Sequence, residues 1–225
     1  MTSSDKRSPS LAYVAPFAAF LVLLALQPYN PLPERIEAPL RFAILLLVVA
    51  VFSRGVISWH VAKPVGSVLV GIGVFAVWVA PDLLFPGYRQ HWLFQNFITG
   101  SLRSSLSEAA RTDPVILVFR SLRAIVLVPV IEELFWRAWL MRWLISTDFR
   151  TVALGAYRAS SFWMTALLFA SEHGPYWEVG LLAGVAYNWW MLRTRSLGDC
   201  ILAHAVTNAC LCLFVVTTGR WEYWL

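Results

Sequence analysis

The sequence predicts an all-α fold, a polytopic membrane protein of about seven transmembrane helices around an intramembrane polar cavity, with eight as the alternative count. The chain is 59% hydrophobic and only 14% charged, whereas soluble domains carry roughly 25% charged residues. Its mean hydropathy is +0.64. Its apolar residues also fall into seven runs near the length of about 20 residues that crosses a bilayer. Finally, three polar motifs interrupt these runs, at a cost of about 2.5–3.5 kcal/mol for each ionisable group.

Seven candidate spans follow in chain order. Their approximate ranges are 11–27, 38–58, 64–85, 114–141, 159–176, 177–193 and 198–218. The fifth and sixth are separated only by Gly174-Pro175, a typical helix break. We treat residues 1–113 and 114–225 as an N-terminal half and a catalytic helical core within one integrated membrane domain.

Two segments need separate interpretation. The first span follows Lys6 and Arg7, as the apolar run of a signal peptide would. However, the run is long, and Gln27 to Tyr29 is not a small-x-small cleavage site. We therefore expect this span to be retained. The stretch from Tyr88 to Asp113 is more polar, and its apolar start predicts an interfacial segment, specifically a helix lying on the membrane surface.

The charge pattern favours a cytoplasmic N-terminus. The net charge is +5, but the basic residues are scattered between apolar runs, which excludes a nucleic-acid partner. Placing the N-terminus inside puts nine Lys and Arg residues on the inner side and six on the outer side, as the positive-inside rule requires. The three cysteines, Cys200, Cys210 and Cys212, lie in the last span and suit packing better than disulfide formation.

The first polar motif, Glu132-Glu133-x-x-x-Arg137, lies in the fourth span. Glu133 and Arg137 are four residues apart and can pair on one helix face. Glu132 is rotated by about 100° and remains free, which suits a general base in a desolvated cavity. Pro129 should kink this helix and open its backbone near Ile125. A structural ion pair with one spare carboxylate facing water is the alternative.

The second and third motifs place His173 four residues after Phe169, and His204 four residues before Asn208. His173 could share a proton or a water molecule with Glu132. His204 and Asn208 offer two donors on one face, which suits stabilisation of an oxyanion. The alternatives are a core histidine for His173 and an interhelical hydrogen-bonded pair for the other two.

The depths of the motifs predict a single site. Counted at 1.5 Å per residue from the inner membrane face, Glu132, His173 and His204 lie at depths of roughly 14, 21 and 9 Å. Three helices can therefore converge on one cavity, which we expect to open to the cytoplasmic side. Arg120 and Arg123 lie near the outer end of the fourth span, where they can snorkel.

No cofactor is expected, although zinc or another divalent metal held by Glu132, His173 and His204 is an alternative. The H-E-x-x-H spacing of the familiar zinc proteases is absent. Spacing does not exclude ligands contributed by three separate helices.

Together, the three motifs in this order resemble the type II CAAX prenyl endopeptidase family, also called the CPBP or abortive-infection membrane protease family. The resemblance covers about residues 115–213, and the compact chain looks like the exosortase-associated CAAX protease-related branch. It implies that Glu132 and His173 activate water, His204 and Asn208 line an oxyanion hole, and Glu133 and Arg137 support the site. It also implies glutamate-dependent hydrolysis, and eukaryotic relatives remove the last three residues of prenylated proteins.

The sequence therefore predicts a membrane endopeptidase in the cytoplasmic (inner) membrane of a bacterium. Its partners would be the lipid bilayer and a membrane-associated protein or peptide that is lipidated or has an apolar tail. A non-catalytic membrane scaffold or immunity protein is one alternative. A proton-coupled transporter using Glu132, His173 and His204 as a relay is another, although we find no inverted repeat.

Overall fold

Seven long helices form the protein, and the computed structural model describes residues 8–224. The sequence prediction of an all-α fold is confirmed, and within these residues the only β-type pairing is one isolated bridge between Asn96 and Gly100. We number the helices α1 (Leu11–Leu26), α2 (Glu34–Ser53), α3 (Pro64–Leu84), α4 (Pro114–Trp143), α5 (Ala159–Ser171), α6 (Trp177–Thr194) and α7 (Leu197–Thr218).

Five of these helices, α1 to α4 and α7, are long and apolar enough to cross a membrane. Helix α5 is apolar but has only 13 residues, and α6 carries the polar residues Asn188 and Arg193. Each of the seven helices overlaps one of the seven predicted spans, although α2 lies four to five residues before its predicted range and α5 ends five residues before its own. Lys6 and Arg7, which contributed to the predicted orientation, lie outside the described residues.

The helix boundaries follow local chemistry. Helix α4 begins at Pro114, whose missing N–H costs nothing in a first turn, and the Asp113 carboxylate accepts hydrogen bonds from the amides of Val115 and Ile116. Helix α7 ends at Gly219, whose φ of 70° places it in the left-handed region, where glycine is favoured.

Helix α4 departs from regular α-helical geometry in two places. π-Helical stretches occur at Arg123–Leu127 and Leu134–Leu140, on either side of the two adjacent glutamates. The first includes Ile125, where Pro129 was predicted to open the backbone. Such stretches occur often at functional sites because they turn side chains away from the regular helical register.

The predicted interfacial helix between Tyr88 and Asp113 is wrong. This segment contains only two 3-10 turns, Tyr88–Gln90 and Ala109–Thr112, within an irregular loop. Left-handed glycines and side-chain hydrogen bonds explain the difference: Gly100 has a φ of 81°, and the Asn96 carboxamide oxygen accepts from the amides of Ile98 and Thr99. These bonds compete with a helical backbone.

Close packing of α3 against α7 and of α5 against α6 forms the centre of the bundle. At Gly71 in α3, an added Cβ would collide with the Ala203 carbonyl and lie 2.7 Å from Val206 Cβ. Gly184 in α6 is similarly close to Ala166. Small residues therefore allow the backbones to approach, as they do in membrane helix pairs generally.

The two ends of the bundle are closed by different contacts. At the end where α1 begins, Ser53 donates to the Ala12 carbonyl and Trp139 donates to the Ser10 hydroxyl. At the opposite end, Ser105 in the long loop donates to the carbonyl of Trp224, which follows α7. The candidate site lies nearer to this second end.

Candidate active site

All four residues predicted to be catalytic line one cavity of about 200 Å³. Helix α4 contributes Glu132, the end of α5 contributes His173, and α7 contributes His204 and Asn208. Phe169, Tyr187 and Trp78 form apolar and aromatic walls. The predicted convergence of three helices on one site is therefore present in the structure.

Among residues 8–224, Glu132 is the one carboxylate in the lining of this cavity. Its side chain is 7% exposed. Its Oε2 atom is buried without a hydrogen-bond partner within residues 8–224. Glu133 Oε2 is also without a partner in these residues, but only Glu132 lines the cavity. Buried polar atoms are normally paired, so the Glu132 carboxylate is the one of the two that a ligand or a reacting group in the cavity could pair.

Glu133 lies behind the cavity in a buried ionic group. Its Oε1 atom is 3.1 Å from Nη1 of Arg137 and 2.9 Å from Nδ1 of His204. Glu133 and Arg137 are both completely buried. The predicted i,i+4 ion pair is confirmed, but the contact with His204 was not predicted, because it joins residues 71 positions apart.

Arg137 is held from several sides. Its Nε donates to the Asn188 carboxamide oxygen at 3.1 Å, and its guanidinium lies 4.5 Å from the centroid of the Phe169 ring. Asn188 in turn donates to the Phe162 carbonyl. Asn188 thus holds Arg137, whereas Tyr187 lines the cavity and stacks on His204 at 5.0 Å.

His173 follows α5 in the turn before α6. Its Nδ1 atom is 2.7 Å from the carbonyl oxygen of Phe169. A carbonyl only accepts hydrogen bonds, so Nδ1 carries the proton and Nε2 of the neutral ring has a free lone pair. The ring packs against Trp78 and Phe169, with centroids 5.2 and 4.6 Å away. This arrangement leaves Nε2 as the atom that can accept a proton.

The structure separates the roles of His204 and Asn208. His204 uses Nδ1 for Glu133, while Asn208 donates from Nδ2 to the Ala124 carbonyl at 2.7 Å. The expectation that both residues aim free donors at one point is therefore only partly met, although both line the cavity. The Asn208 amide retains a second N–H, and His204 retains Nε2.

A second cavity of about 450 Å³ adjoins the first. Both are lined by His173, Trp78, Val128 and the segment of Tyr223 and Trp224. The larger cavity also contacts Gln27 at the end of α1. Gln27, Tyr223 and Trp224 lie at the end of the bundle opposite the beginning of α1. Access to the site from the cytoplasmic side stays a prediction, as does the cytoplasmic N-terminus.

Glu172 lines this larger cavity, and its side chain is exposed. It does not line the smaller cavity.

One group missed by the sequence analysis surrounds the turn that carries His173. Arg89, only 2% exposed, donates to the Pro175 carbonyl at 2.7 Å and pairs with Asp82 and Glu178. Asp82 also accepts from the Tyr223 hydroxyl at 2.8 Å. These residues are distant in the sequence and follow no local pattern. A charged residue in a polar loop is normally exposed, so the sequence did not indicate that Arg89 is buried.

The alternative metal site is not assembled in the described part of the chain. Within residues 8–224, no three His, Cys, Asp or Glu side chains are grouped in a way that could hold a metal ion. The absence of cofactors remains a prediction.

Comparison with known proteins gives one family. Residues 114–210 match the family described as type II CAAX prenyl endopeptidase, Rce1-like. No curated protein and no solved structure matches the chain. The matched segment contains all three motifs and extends from the start of α4 into α7. Assignment to the exosortase-associated branch stays a prediction. Residues 114–210, the helical core that builds the cavity, are therefore similar to the Rce1-like type II CAAX prenyl endopeptidase family.

Proposed function

We propose that the protein is an integral membrane endopeptidase that hydrolyses a peptide bond of a lipidated or apolar-tailed protein through a water molecule activated by Glu132. The observation that carries this proposal is the pairing of two proton acceptors in one cavity. Glu132 offers an unpaired Oε2 atom, and His173 offers Nε2 because Nδ1 is bound to a carbonyl. General-base catalysis needs an acceptor within reach of the attacking water.

The reaction needs no covalent intermediate. Glu132 takes a proton from water, and the water oxygen attacks the carbonyl carbon of the scissile bond. The resulting oxyanion would accept hydrogen bonds from the second Nδ2 proton of Asn208 and from Nε2 of a protonated His204. The proton held by Glu132 then passes to the leaving nitrogen as the C–N bond breaks.

The Glu133 contact supports the role of His204. The carboxylate fixes the imidazole ring through Nδ1, and an imidazolium donates from both ring nitrogens, so Nε2 would then donate into the cavity. Arg137 fixes the carboxylate in turn by donating to the same oxygen. Glu133 and Arg137 would thus act on the substrate only through His204.

The substrate class follows from the walls of the cavity. The larger cavity and the smaller one are bordered by aromatic rings, including Trp78 and Trp224, and the helices around them are apolar. A peptide carrying a lipid or an apolar tail could reach Glu132 from within the bilayer. The inner membrane of a bacterium and a cytoplasmic N-terminus remain our proposed location and orientation.

The first experiment compares protein termini in membranes from cells that carry the wild-type protein, Glu132→Ala or Glu108→Ala. Glu108 is an exposed loop residue and serves as a matched control. Equal amounts of the three proteins must be present. We expect a new peptide terminus with the wild type and Glu108→Ala only. If cells that carry Glu132→Ala behave like cells that carry the wild-type protein and no peptide terminus differs between them, the protein is a scaffold and the protease proposal fails.

A further inference from the structure

The long loop between α3 and α4 displays two large apolar side chains at the tip of a turn. Phe97 is 95% exposed and Ile98 is 79% exposed. The two residues are adjacent, and both lie between the partners of the isolated bridge, Asn96 and Gly100. In water, their side chains would forgo the free energy that is gained when apolar surface is buried. Such a tip marks a surface that contacts an apolar partner.

Hydrogen bonds hold the turn of residues 96–100 in this shape. The Gly100 amide donates to the Asn96 carbonyl at 2.8 Å. The Asn96 carboxamide oxygen accepts from the amides of Ile98 and Thr99, and the Thr99 hydroxyl donates to the Phe94 carbonyl at 2.9 Å. Because the backbone is fixed on both sides of the tip, the turn presents its apolar side chains outward and does not fold them against the protein.

The rest of the loop has the composition of a segment at a lipid surface. Between Asp82 and Glu108 the sequence contains no acidic residue, whereas Arg103 is exposed. Trp92 is exposed as well, and tryptophan is enriched where the hydrocarbon of a bilayer meets the headgroups. Apolar side chains that are accompanied by a cation and by no carboxylate suit the headgroup region of a membrane.

Continuity with α3 identifies lipid as the contact of this loop. Helix α3 is long and apolar enough to cross a membrane. Its last residues, Leu83 and Leu84, are exposed, and so is Phe85, which follows it. The loop continues from there, and its Leu93 carbonyl accepts from the Trp177 indole at the start of α6 at 3.1 Å. The loop is therefore held at the level where α3 ends and α6 begins, which is the level of a membrane interface.

The turn also borders the larger cavity. Thr99, Gly100 and Ser101 line this cavity, together with Phe20 and Leu24 of α1. Gly100 and Ser101 are exposed, so they form part of its rim. The residues that directly follow the apolar tip are thus the residues that border the opening.

We propose that Phe97 and Ile98 insert into the lipid leaflet at this end of the bundle and thereby hold the rim of the larger cavity at the membrane interface. The partner of this surface is the bilayer itself and not a separate protein. The inference goes beyond the proposed endopeptidase activity, because it concerns the level at which the cavity opens. It holds whether or not the protein cleaves peptides.

Spin labels measure the position of the turn in the whole chain, reconstituted into nanodiscs of phosphatidylcholine and phosphatidylglycerol. Separate variants carry the label at Phe97→Cys, Ile98→Cys, Ile72→Cys and Glu108→Cys, and labelled wild type corrects for the three native cysteines. Ile72 is exposed within the α3 span and is the lipid reference, whereas the exposed loop residue Glu108 is the water reference. Power saturation compares collisions with oxygen, which concentrates in lipid, and with a nickel chelate, which stays in water.

We expect the labels at Phe97→Cys and Ile98→Cys to be more accessible to oxygen than to the nickel chelate, as at Ile72→Cys. The label at Glu108→Cys should show the opposite order. Greater accessibility to nickel than to oxygen at either tip position overturns the proposal, because the tip then lies in water. Tip labels that neither reagent reaches overturn it as well, because protein, such as a second copy of this chain, then covers the turn.

A label at Ser101→Cys tests whether the tip holds the rim. Its depth is compared in the otherwise unchanged chain, in Phe97→Asn with Ile98→Asn, and in Glu108→Asn with Ala109→Asn. The last two residues are a matched pair of exposed neighbours in the same loop. We expect the first pair of substitutions to shift the label toward water and the second pair to leave its depth unchanged. An unchanged depth after the first pair shows that the protein alone fixes the rim, and it overturns the proposal.

Discussion

The Asn208 side chain donates to the Ala124 carbonyl at 2.7 Å, and this bond connects α7 to the point where α4 departs from regular geometry. The Val128 amide donates to Arg123, five residues earlier. Residue 129 is a proline and has no N–H. The Ala124 carbonyl is therefore left without its usual helical donors, and Asn208 supplies one.

We expect Asn208→Ala to lower both stability and activity. The variant leaves the Ala124 carbonyl unpaired, at a cost of about 1–3 kcal/mol, and removes the remaining N–H from the cavity. Thermal unfolding in detergent and cleavage of an identified substrate provide the measurements. Asn208→Asp should fail in both as well, because an ionised carboxylate cannot donate. Recovery of activity in Asn208→Asp would contradict the role of a donor at this position.

The buried ionic group gives a second prediction. Glu133→Gln removes the negative charge shared by Arg137 and His204 and leaves the arginine buried without a counter-ion. Breaking a buried pair in this way typically costs about 3–5 kcal/mol. We expect a markedly lower unfolding temperature for Glu133→Gln and no change for Glu108→Gln, whose side chain is exposed. Wild-type stability of Glu133→Gln would show that Arg137 is satisfied without the carboxylate.

Two glycines of α3 form a matched pair for testing helix packing. Gly71→Ala places a methyl group against the Ala203 carbonyl and Val206, whereas an added Cβ at Gly73 meets nothing within 4 Å. Overpacking costs about 1–3 kcal/mol, so Gly71→Ala should destabilise the protein and impair the site on α7. Gly73→Ala should be neutral or slightly stabilising, because alanine favours helix. Equal unfolding temperatures for the two variants would refute the close contact of α3 with α7.

The arginine beneath the His173 turn gives a fourth prediction. Arg89→Gln leaves Asp82 and Glu178 without their shared cation and weakens the bond to Pro175. We expect faster cleavage of the loop between α3 and α4 in limited proteolysis, together with reduced activity. Arg103→Gln, in the same loop but exposed, is the control. Unchanged proteolysis in Arg89→Gln would mean that the aromatic rings around Arg89 hold the loop without its charge.

The sequence predicted the helices well because a membrane span can be recognised from the hydropathy of its own residues alone. It also predicted the Glu133–Arg137 pair, which depends only on a spacing of four residues within one helix. Convergence of Glu132, His173 and His204 could be anticipated because all three lie at similar depths. The family match then confirmed the resemblance that these motifs carry over residues 114–210.

The remainder depended on contacts between distant residues. The bond from His204 to Glu133 and the group around Arg89 join positions at least 70 apart or unite several segments. The loop from Tyr88 to Asp113 was mistaken for a helix because its apolar residues suggested an interfacial face, whereas hydrogen bonds accepted by the Asn96 side chain shape a turn.

The Asp199 carboxylate accepts hydrogen bonds from the amides of Ala62 and Lys63, at 2.7 and 2.8 Å, and from the Ser67 hydroxyl at 2.8 Å. From α7 it therefore holds the two residues before α3 and one residue of the first turn of α3, across as many as 137 positions of the chain. During synthesis on the ribosome, the amides of Ala62 and Lys63 emerge long before the side chain that accepts from them. Helix α7 also carries His204 and Asn208, so a nascent chain can complete the candidate cavity only when the Asp199 contacts can also form.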